Sequence, residues 1–322
     1  KFLLLALIIL LDQAQAWWGY GHLLAARVAY ETLLKSDSNV IENVETILKI
    51  LKESDPSMTK SEGGHSFVEC ATFADEIKGK GGAYQANWHF IDVPFIDDGS
   101  KNLTTEVDLH NITDALNNIK SWIDKQGDYQ DSYEYEQVDE HEFTGHNSKD
   151  DLSTALRLLI HYVGDIHQPL HATTRYDQEF PTGDRGGNSF QLPSKDGAKN
   201  LHAVWDAVVY EFPNDPNLPL SDKDWNSIGE QAATLMKKYD ISSEISQDLN
   251  PMNWAMQANE IAETFVYNGI EEKQRLPTDY VTQGQQLAEK QLLIAGLRLA
   301  NTLSHLDLSQ WIDGEELKFL SA

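Results

Sequence analysis

The sequence predicts a mainly α protein, with one domain built as a bundle of several helices. Apolar residues recur at helical spacing in several long segments, among them 22–34, 39–51, 105–123, 149–168 and 280–306. No strand-rich region, internal repeat or low-complexity linker interrupts this pattern. The 322 residues are enough for one large domain or two modest ones, and the absence of a linker favours one.

The first 16 residues have the features of a secretory signal peptide. Lys1 precedes an apolar run at 2–11, and Ala14-Gln-Ala16 provides the small residues of a cleavage site. We therefore expect a signal peptide at 1–16 and one domain at 17–322. We expect the protein either to be secreted or to remain in a compartment of the secretory pathway, for example a lysosome-like compartment. No later apolar run is long enough for a bilayer span, so no membrane contact is expected, and nothing implies a protein partner.

The composition limits the classes of function. The net charge is −26 and no basic stripe is present, which disfavours binding to a long nucleic-acid backbone through surface lysines and arginines. An anionic substrate would have to be attracted locally, for example by bound cations. Cys70 is the single cysteine, so no internal disulfide can form. Asn102 and Asn111 begin glycosylation sequons.

One stretch has the strongest chemical signal. His161 and Asp165 are four residues apart at the end of an apolar helical run, so they project from one helix face. Pro169 is expected to end or kink the helix, which brings His171 in from another direction. Imidazole and carboxylate groups at such spacing are typical of a zinc site, although a helix with satisfied buried histidines is the simpler alternative.

The same spacing occurs again further along the chain. In Asn200-Leu-His202-Ala-Val-Trp-Asp206, histidine and aspartate are again four apart, which favours metal binding over isolated core histidines. A glycine-containing loop around Arg185 lies between the two motifs, and its arginine could meet a phosphate. The acidic tract at 127–151 is predicted to be a solvated loop, and residues 88–94 are predicted to be extended.

Taken in order, the motifs resemble those of the S1/P1 nuclease family, which comprises secreted zinc-dependent nucleases and 3′-nucleotidases. The resemblance rests on Trp17 followed by His22, Ala-Asp75, His89-Phe-Ile-Asp92, His161-xxx-Asp165-x-His167-x-Pro-x-His171, Gly-Gly187-Asn188 and Asn-Leu-His202-xx-Trp-Asp206. It covers 17 to about 212, and the helical tail agrees with it. It implies the fold shared by zinc phospholipase C and P1 nuclease.

The resemblance implies three Zn²⁺ ions and a ligand set for each. The first set is Asp75, His89, His161 and Asp165. The second set is His171, His202 and Asp206. The third set is the amino nitrogen and carbonyl oxygen of Trp17, the ring of His22, and Asp165 as a bridge. Because the amine of Trp17 is free only after signal cleavage, we expect activity in the processed chain alone.

The resemblance also implies roles in substrate binding and catalysis. Asp92 is expected to position the attacking water, and Phe90 and Asp92 to lie beside a nucleobase pocket. Lys78 falls where a lysine near the phosphate is expected, although an exposed helix lysine is the simpler interpretation. His167 is expected to support or pack rather than to bind metal.

These features predict a zinc-dependent phosphodiesterase that hydrolyses single-stranded DNA or RNA to 5′-nucleotides, with 3′-nucleotidase activity left open. The main alternative is a zinc phospholipase C, which has the same phosphorus chemistry. That class needs an exposed apolar surface for lipid, and the sequence has no clear candidate for one. A noncatalytic secreted zinc-binding protein is the second alternative, but such a protein has no need of Asp92.

Overall fold

The computed structural model describes residues 17–97, 107, 109–141 and 148–312, so the predicted signal peptide lies outside the described residues. Over these ranges the chain forms twelve α-helices, several short 3₁₀ segments and two small sheets of two strands each. The predicted mainly α fold is confirmed. Among the helices described, none combines the length and the apolar character that a bilayer crossing requires.

The helices vary from single turns to one of eight turns. They are α1 (Gly19–Ser36), α2 (Ser38–Ser54), α3 (Ser66–Glu69), α4 (Phe73–Lys78), α5 (Ile112–Ile123), α6 (Tyr133–Glu140), α7 (Ser148–Asp165), α8 (Leu201–Asp206), α9 (Asp222–Lys238), α10 (Ser243–Ser246), α11 (Pro251–Ile261) and α12 (Thr278–His305). The strands are β1 (Pro94–Ile96), β2 (Thr174–Tyr176), β3 (Gln191–Lys195) and β4 (Ala198–Asn200). Two 3₁₀ segments, Gly82–His89 and Pro169–His171, carry site residues.

Helix α7 forms the centre of the molecule. Every residue from Asp150 to Asp165 is buried, and α1, α2, α5 and α12 all pack against it. A helix that is buried on all sides must satisfy its polar groups internally. Arg157 does so through a bidentate pair with Glu62, with Nε–Oε1 and Nη2–Oε2 distances of 2.6 and 2.7 Å. The polar residues at the C-terminal end of α7 belong to the site described below.

The N-terminal residues are held against the end of α7. Trp17 is fully buried, and its indole Nε1 donates to the carbonyl oxygen of Gly164 at 3.0 Å. The backbone amide of Trp18 donates to the carbonyl oxygen of Asp206 at 2.9 Å, which ties the start of α1 to α8. Because α1 also packs along α12 and α9, its first turn is fixed in the core.

The two sheets connect segments that are distant in sequence. Strands β1 and β2 pair in parallel, with Pro94 opposite Thr174, and so bring the segment after His89 beside the segment after His171. Strands β3 and β4 form an antiparallel hairpin that leads directly into α8. Residues 88–94 were predicted to be extended, but Trp88 and His89 end a 3₁₀ segment, so this prediction was wrong for them.

The acidic tract is not a simple solvated loop. Residues 142–147 lie outside the described part, but Tyr133–Glu140 form α6 and residues 148–151 begin α7. The tyrosines among the acids provide an apolar face, and Tyr135 packs edge-on against Trp122 of α5 at 4.8 Å between ring centroids. Glu134 is fully buried, and its Oε2 accepts a hydrogen bond from Asn118 at 2.6 Å. The loop prediction was wrong because it rested on the number of acidic residues and not on the spacing of the tyrosines among them.

The two sequons differ in what the structure describes. Asn102 lies outside the described residues. Asn111 is the N-cap of α5, only 7 % exposed, and its side-chain oxygen accepts hydrogen bonds from the amide and the hydroxyl of Thr113. A capping side chain held in this way is not presented to solvent, so the fold disfavours a glycan on Asn111.

Two glutamates, Glu211 and Glu289, interact near the contact between α9 and α12. Burial, together with the negative charge of Glu289, raises the pKa of Glu211 to about 7. Glu289 Oε2 accepts hydrogen bonds from Lys238 Nζ at 2.5 Å and from the Tyr239 hydroxyl. The pKa of such a carboxyl group is higher in the folded state than in the unfolded state. Its contribution to stability is therefore full at pH values below the unfolded-state pKa, and it is lost as the pH rises through the folded-state pKa.

We therefore expect Glu211→Gln to raise the melting temperature at pH 8 and to leave it nearly unchanged at pH 4. At pH 8 the free energy of unfolding should increase by about 1 kcal/mol, after allowance for the screening of a partly exposed group. This corresponds to a rise in Tm of roughly 2–4 °C. Differential scanning calorimetry at both pH values measures it. Glu230→Gln, at an exposed position of α9, is the control. An equal effect of Glu211→Gln at both pH values would contradict the account.

Candidate metal centre and substrate pocket

A buried carboxylate at the C-terminal end of α7 collects three imidazole rings around it. Asp165 Oδ1 lies 3.2 Å from Nε2 of His22 and 3.2 Å from Nε2 of His161, and Asp165 Oδ2 lies 2.7 Å from Nδ1 of His89. Asp75 Oδ1 lies 3.9 Å from the same atoms of His89 and His161. We call these five residues the Asp165 cluster. They come from α1, α4, α7 and the 3₁₀ segment Gly82–His89.

In His161 and His89, the ring nitrogen that faces away from Asp165 has a hydrogen-bond acceptor as its partner. His161 Nδ1 lies 2.6 Å from the carbonyl oxygen of Ala71, and a carbonyl only accepts, so this nitrogen carries the proton. His89 Nε2 lies 2.8 Å from the side-chain oxygen of Gln85, whose amide nitrogen donates to the carbonyl oxygen of Ala74. Both rings therefore turn an unprotonated nitrogen toward Asp165, which is the arrangement of metal-bound histidines.

Several buried atoms of this cluster have no hydrogen-bond partner. They are both ring nitrogens of His22, Nε2 of His161 and Oδ1 of Asp165, within the part of the chain that the structure describes. Buried polar atoms are almost always satisfied, and each orphan costs of the order of 1–3 kcal/mol. A divalent cation between them would accept lone pairs from one ring nitrogen of His22, from Nε2 of His161 and from Oδ1 of Asp165. The residues present therefore fit a metal ion.

The electrostatics of the cluster favour the metal-binding states of His89 and Asp75. Burial lowers the pKa of His89 to about 3, and the nearby Lys78 adds to the effect. Burial opposes the ionisation of Asp75, but His161 and Lys78 outweigh it and lower the pKa of Asp75 to about 2. Metal binding requires neutral imidazole and ionised carboxylate, the forms that His89 and Asp75 favour. Burial lowers the pKa of His161, but the charges of Asp165 and Asp75 outweigh it and raise this pKa, so a cation would have to displace a proton there.

A second group lies beyond His89, formed by His171, His202 and Asp206; we call it the His171 cluster. All three are buried. His171 Nδ1 lies 2.7 Å from the carbonyl oxygen of His89, and His202 Nδ1 lies 2.6 Å from that of Gly186. Since both Nδ1 atoms carry the proton, both Nε2 atoms present lone pairs, and these two atoms are 3.1 Å apart.

Two facing lone pairs repel each other unless a cation lies between them. Burial lowers the pKa of His171, so a bound proton is disfavoured there. Asp206 Oδ1 lies 3.7 Å from His202 Nε2 and accepts a hydrogen bond of 2.7 Å from Gln168, which orients the carboxylate. Burial raises the pKa of Asp206 well above its usual range. A divalent cation would reverse that shift and satisfy all three ligands.

Lys78 does not occupy the exposed position of an ordinary helix lysine. It is 8 % exposed, and its Nζ lies 2.7 Å from Oδ1 of Asp75. The ammonium group therefore borders the Asp165 cluster, where it can neutralise charge on a carboxylate or on a bound phosphate. His167, in contrast, points away from both clusters. Its Nδ1 donates to the carbonyl oxygen of Val163, and its Nε2 accepts from Arg298.

A small pocket opens beside the His171 cluster. It has a volume of about 150 Å³ and is lined by Phe90, Asp92, Leu170, Arg185, Gly186, Asn188 and His202. His202 thus belongs to both the pocket and the cluster. Asp92 is outside the three groups of close metal-ligand atoms among the described residues. Its Oδ1 accepts a hydrogen bond from the hydroxyl of Thr174, the first residue of β2.

Sequence reasoning did not identify three residues that organise the clusters. Gln85 fixes the tautomer of His89, and it lies four residues before it on the 3₁₀ segment. Gln168 lies inside the motif that ends at His171, and it orients Asp206. Gly164 allows the close approach of His22, because a Cβ at this position would lie 2.7 Å from His22 Nδ1. The spacing of Gln85 from His89 is the one signal that could have indicated a supporting role.

Buried imidazoles and carboxylates that converge next to a polar pocket are the arrangement of a metal-binding hydrolase. The family model described as S1/P1 Nuclease matches residues 17–307. The chain is 24 % identical to Endonuclease 1 of Arabidopsis thaliana over 320 residues, which cover 94 % of this chain and 91 % of that protein. It is 24 % identical to Nuclease P1 of Penicillium citrinum over 255 residues, covering 74 % and 84 %. Endonuclease 3 of Arabidopsis thaliana is 32 % identical over 165 residues, covering 48 % and 52 %.

The chain belongs to the S1/P1 nuclease family, and it is a hydrolytic nuclease. The predicted family is confirmed by the match over 17–307, and the alternatives of a phospholipase and of a noncatalytic zinc-binding protein find no support in these comparisons. The structure brings nearly all of the predicted metal ligands into three groups, in each of which the ligand atoms lie within 4.8 Å of one another: His22, Asp75 and His161; His89, His161 and Asp165; and His171, His202 and Asp206. Trp17 lies beside these groups, and its indole Nε1 donates a hydrogen bond to the carbonyl oxygen of Gly164.

The fit of His22 against Gly164 provides a test of the Asp165 cluster. We expect Gly164→Ala to push the ring of His22 away and to reduce the divalent metal bound per chain, as measured by inductively coupled plasma mass spectrometry. Gly79→Ala is the matched control, because a Cβ there would meet nothing within 4 Å. Equal metal content in wild type and both variants would contradict this role of the contact between His22 and Gly164.

Proposed function

We propose that the mature chain is a zinc-dependent phosphodiesterase that hydrolyses single-stranded DNA and RNA to 5′-nucleotides, with 3′-nucleotidase activity at the same site. The observation that carries this proposal is the set of three buried His and Asp groups. The rings of four of these histidines are fixed in metal-binding tautomers: His89, His161, His171 and His202. A pocket of about 150 Å³ adjoins the His171 cluster. The curated relatives are named endonucleases and nucleases, which supports the same reaction.

We further propose three Zn²⁺ ions. Asp75, His89, His161 and Asp165 would hold the first, and His171, His202 and Asp206 the second. The amine and carbonyl of Trp17, with His22 and bridging Asp165, would hold the third. The burial of Trp17 next to Gly164 supports this third site, because it brings the residue that follows the predicted cleavage point to the neighbour of Asp165. Imidazole and carboxylate ligands of this kind suit zinc.

The roles of the protein groups follow from the geometry. Zinc bound in these groups would polarise the phosphate and lower the pKa of a water molecule. The carbonyls of Ala71, His89 and Gly186 hold the imidazoles unprotonated toward the site. Gln168 keeps the carboxylate of Asp206 oriented. Lys78, paired with Asp75, provides a positive charge where an extra negative charge develops on phosphate.

The charge distribution favours single strands. Three zinc ions and the three ligands Asp75, Asp165 and Asp206 leave about +3 at the site (+6 − 3), within a chain of net charge −26. A phosphate is attracted at the site, while the rest of the surface repels a long duplex. A single strand can bend into the pocket and presents a lower linear charge density.

We expect the chain that begins at Trp17 to hydrolyse single-stranded DNA and RNA, to lose this activity with a zinc chelator and to regain it when zinc is added. Release of acid-soluble nucleotides measures the rate, and release of inorganic phosphate from a 3′-mononucleotide measures the second activity. Duplex DNA at equal nucleotide concentration and low salt should be cleaved at least about ten times more slowly. Equal rates on duplex and single strand would contradict the charge argument.

The position of Asp92 in the pocket wall supports contact with the nucleobase, while its role in positioning the attacking water stays a prediction. Asp92→Asn separates the two. We expect it to raise KM for single-stranded substrates about ten-fold, since a charged hydrogen-bond acceptor is lost, and to leave zinc content unchanged. If kcat instead falls by about two orders of magnitude while KM is unchanged, Asp92 is the group that positions water.

We propose a location outside the cell or in a compartment of the secretory pathway, after removal of residues 1–16. The apolar run at 2–11 and the small residues that follow it support this. Expression in a secreting cell followed by N-terminal sequencing of the protein in the medium tests it. Trp17 as the first residue is the expected result, and retention of the uncleaved chain inside the cell would overturn it.

A further inference from the structure

The pocket beside the His171 cluster has an unusual combination of side chains. Phe90 offers an aromatic face, Asp92 a carboxylate and Arg185 a guanidinium group, and Asn188 adds an amide. Arg185 is exposed and forms no ion pair with any residue that the structure describes, so its donors are available to a ligand. His202 also lines the pocket, so an occupant would lie next to the metal-binding groups.

Arg185 is held in a backbone conformation that non-glycine residues rarely adopt. Its φ is +59°, between Asp184 and Gly186, and a side chain in this left-handed region is less favourable than glycine. The surroundings enforce this conformation. Asp184 is fully buried, with Oδ2 accepting from the Tyr267 hydroxyl at 2.7 Å and Oδ1 from the amide of Arg175 at 3.0 Å.

The residues after Arg185 are equally constrained. A Cβ at Gly186 would lie 2.4 Å from the carbonyl oxygen of Leu170, so this backbone cannot move inward. Both the backbone amide and the side-chain amide of Asn188 donate to the carbonyl oxygen of Arg185, at 3.2 and 3.0 Å. The loop that carries the guanidinium group is therefore preformed, and it presents a long cationic side chain from a fixed point on the pocket rim.

Asp92 is held on the same pocket by the parallel strands. It precedes β1 by two residues, and the Thr174 amide donates to the carbonyl oxygen of Val93 at 3.1 Å. The Thr174 hydroxyl donates to Asp92 Oδ1. Carboxylate and guanidinium therefore come from two independently anchored segments and border one cavity.

Guanine is the base that matches this pair of groups. Its O6 and N7 are two adjacent acceptors, which a guanidinium group binds in bidentate fashion. Its N1–H and N2–H₂ are two adjacent donors, which a carboxylate can accept together. Adenine presents a donor at the first edge and an acceptor at the second, and neither pyrimidine has both pairs. Phe90 adds a stacking surface that any base can use.

We propose that Arg185 is a specificity-determining residue and that this pocket binds guanine in preference to the other bases, with Arg185 on the O6/N7 edge and Asp92 on the N1/N2 edge. The inference rests on the proposed nuclease function and deepens it, since it states which nucleotide of a single strand the site selects. It requires no change in the metal-binding residues, because Arg185 belongs to none of the three groups of metal-ligand atoms.

The experiment compares the zinc-loaded wild type with Arg185→Lys and Arg185→Ala on dinucleotides that carry guanine, adenine, cytosine or thymine on either side of the scissile phosphate. Short substrates avoid the folding of guanine-rich strands. For wild type we expect kcat/KM to be about ten-fold higher with guanine on one side, the difference arising in KM. Arg185→Lys keeps the charge but loses the bidentate geometry, so both variants should lose the preference.

Arg275→Ala is the control, because it removes one exposed arginine outside the pocket and should leave the preference intact. Unchanged zinc content and Tm establish that the variants fold. If wild type and Arg185→Ala cleave all four bases with the same ranking, the inference is overturned while the nuclease function stands.

A binding measurement extends the test to the case in which no substrate is cleaved. Isothermal titration calorimetry of zinc-loaded wild type with the four nucleoside 5′-monophosphates should give the tightest binding for guanosine 5′-monophosphate, and Arg185→Ala should remove this difference. Equal affinities of wild type for all four nucleotides would overturn the inference whether or not the protein is a nuclease.

Discussion

The carboxylate of Asp165 is the group on which the rest of this structure depends. It is fully buried at the end of the central helix, within 3.2 Å of three imidazole nitrogens. A folded protein rarely tolerates several unsatisfied polar atoms in its core. A cation bound in the cluster would satisfy these atoms. Part of the stability of the metal-loaded fold would then be metal-binding free energy.

The second requirement is a hydrogen-bond acceptor for the histidine ring nitrogens that face away from the candidate metal sites. Backbone carbonyls of Ala71, His89 and Gly186 hold the far nitrogens, and each comes from a different segment. The carbonyl oxygen of His89, a residue of the Asp165 cluster, accepts a hydrogen bond from Nδ1 of His171. This hydrogen bond therefore connects the two clusters. The carbonyl of Gly186 supports His202 from the same loop that carries Arg185. One short stretch of backbone thus carries both the carbonyl that supports His202 and the arginine that we propose to contact the base.

The sequence predicted the helical fold and the close approach of His161 and Asp165, because both depend on local spacing. The wider ligand set was implied by the family resemblance, and it stays a prediction. His161 and Asp165 must share a helix face whatever their surroundings are. The supporting contacts could not be predicted, since they join residues far apart in the chain: Ala71 with His161 is an example. The acidic tract was misjudged because net charge hides the tyrosine pattern of α6, and Lys78 is buried by tertiary packing that no local pattern encodes.

The central claim is that the three His and Asp groups hold zinc. Anomalous X-ray scattering from crystals of the chain that begins at Trp17, recorded on both sides of the zinc absorption edge, tests it directly. The account predicts three peaks: one between His89, His161 and Asp165, one between His171, His202 and Asp206, and one beside His22 and the amine of Trp17. Absence of anomalous density at these groups in a protein supplied with zinc would contradict it.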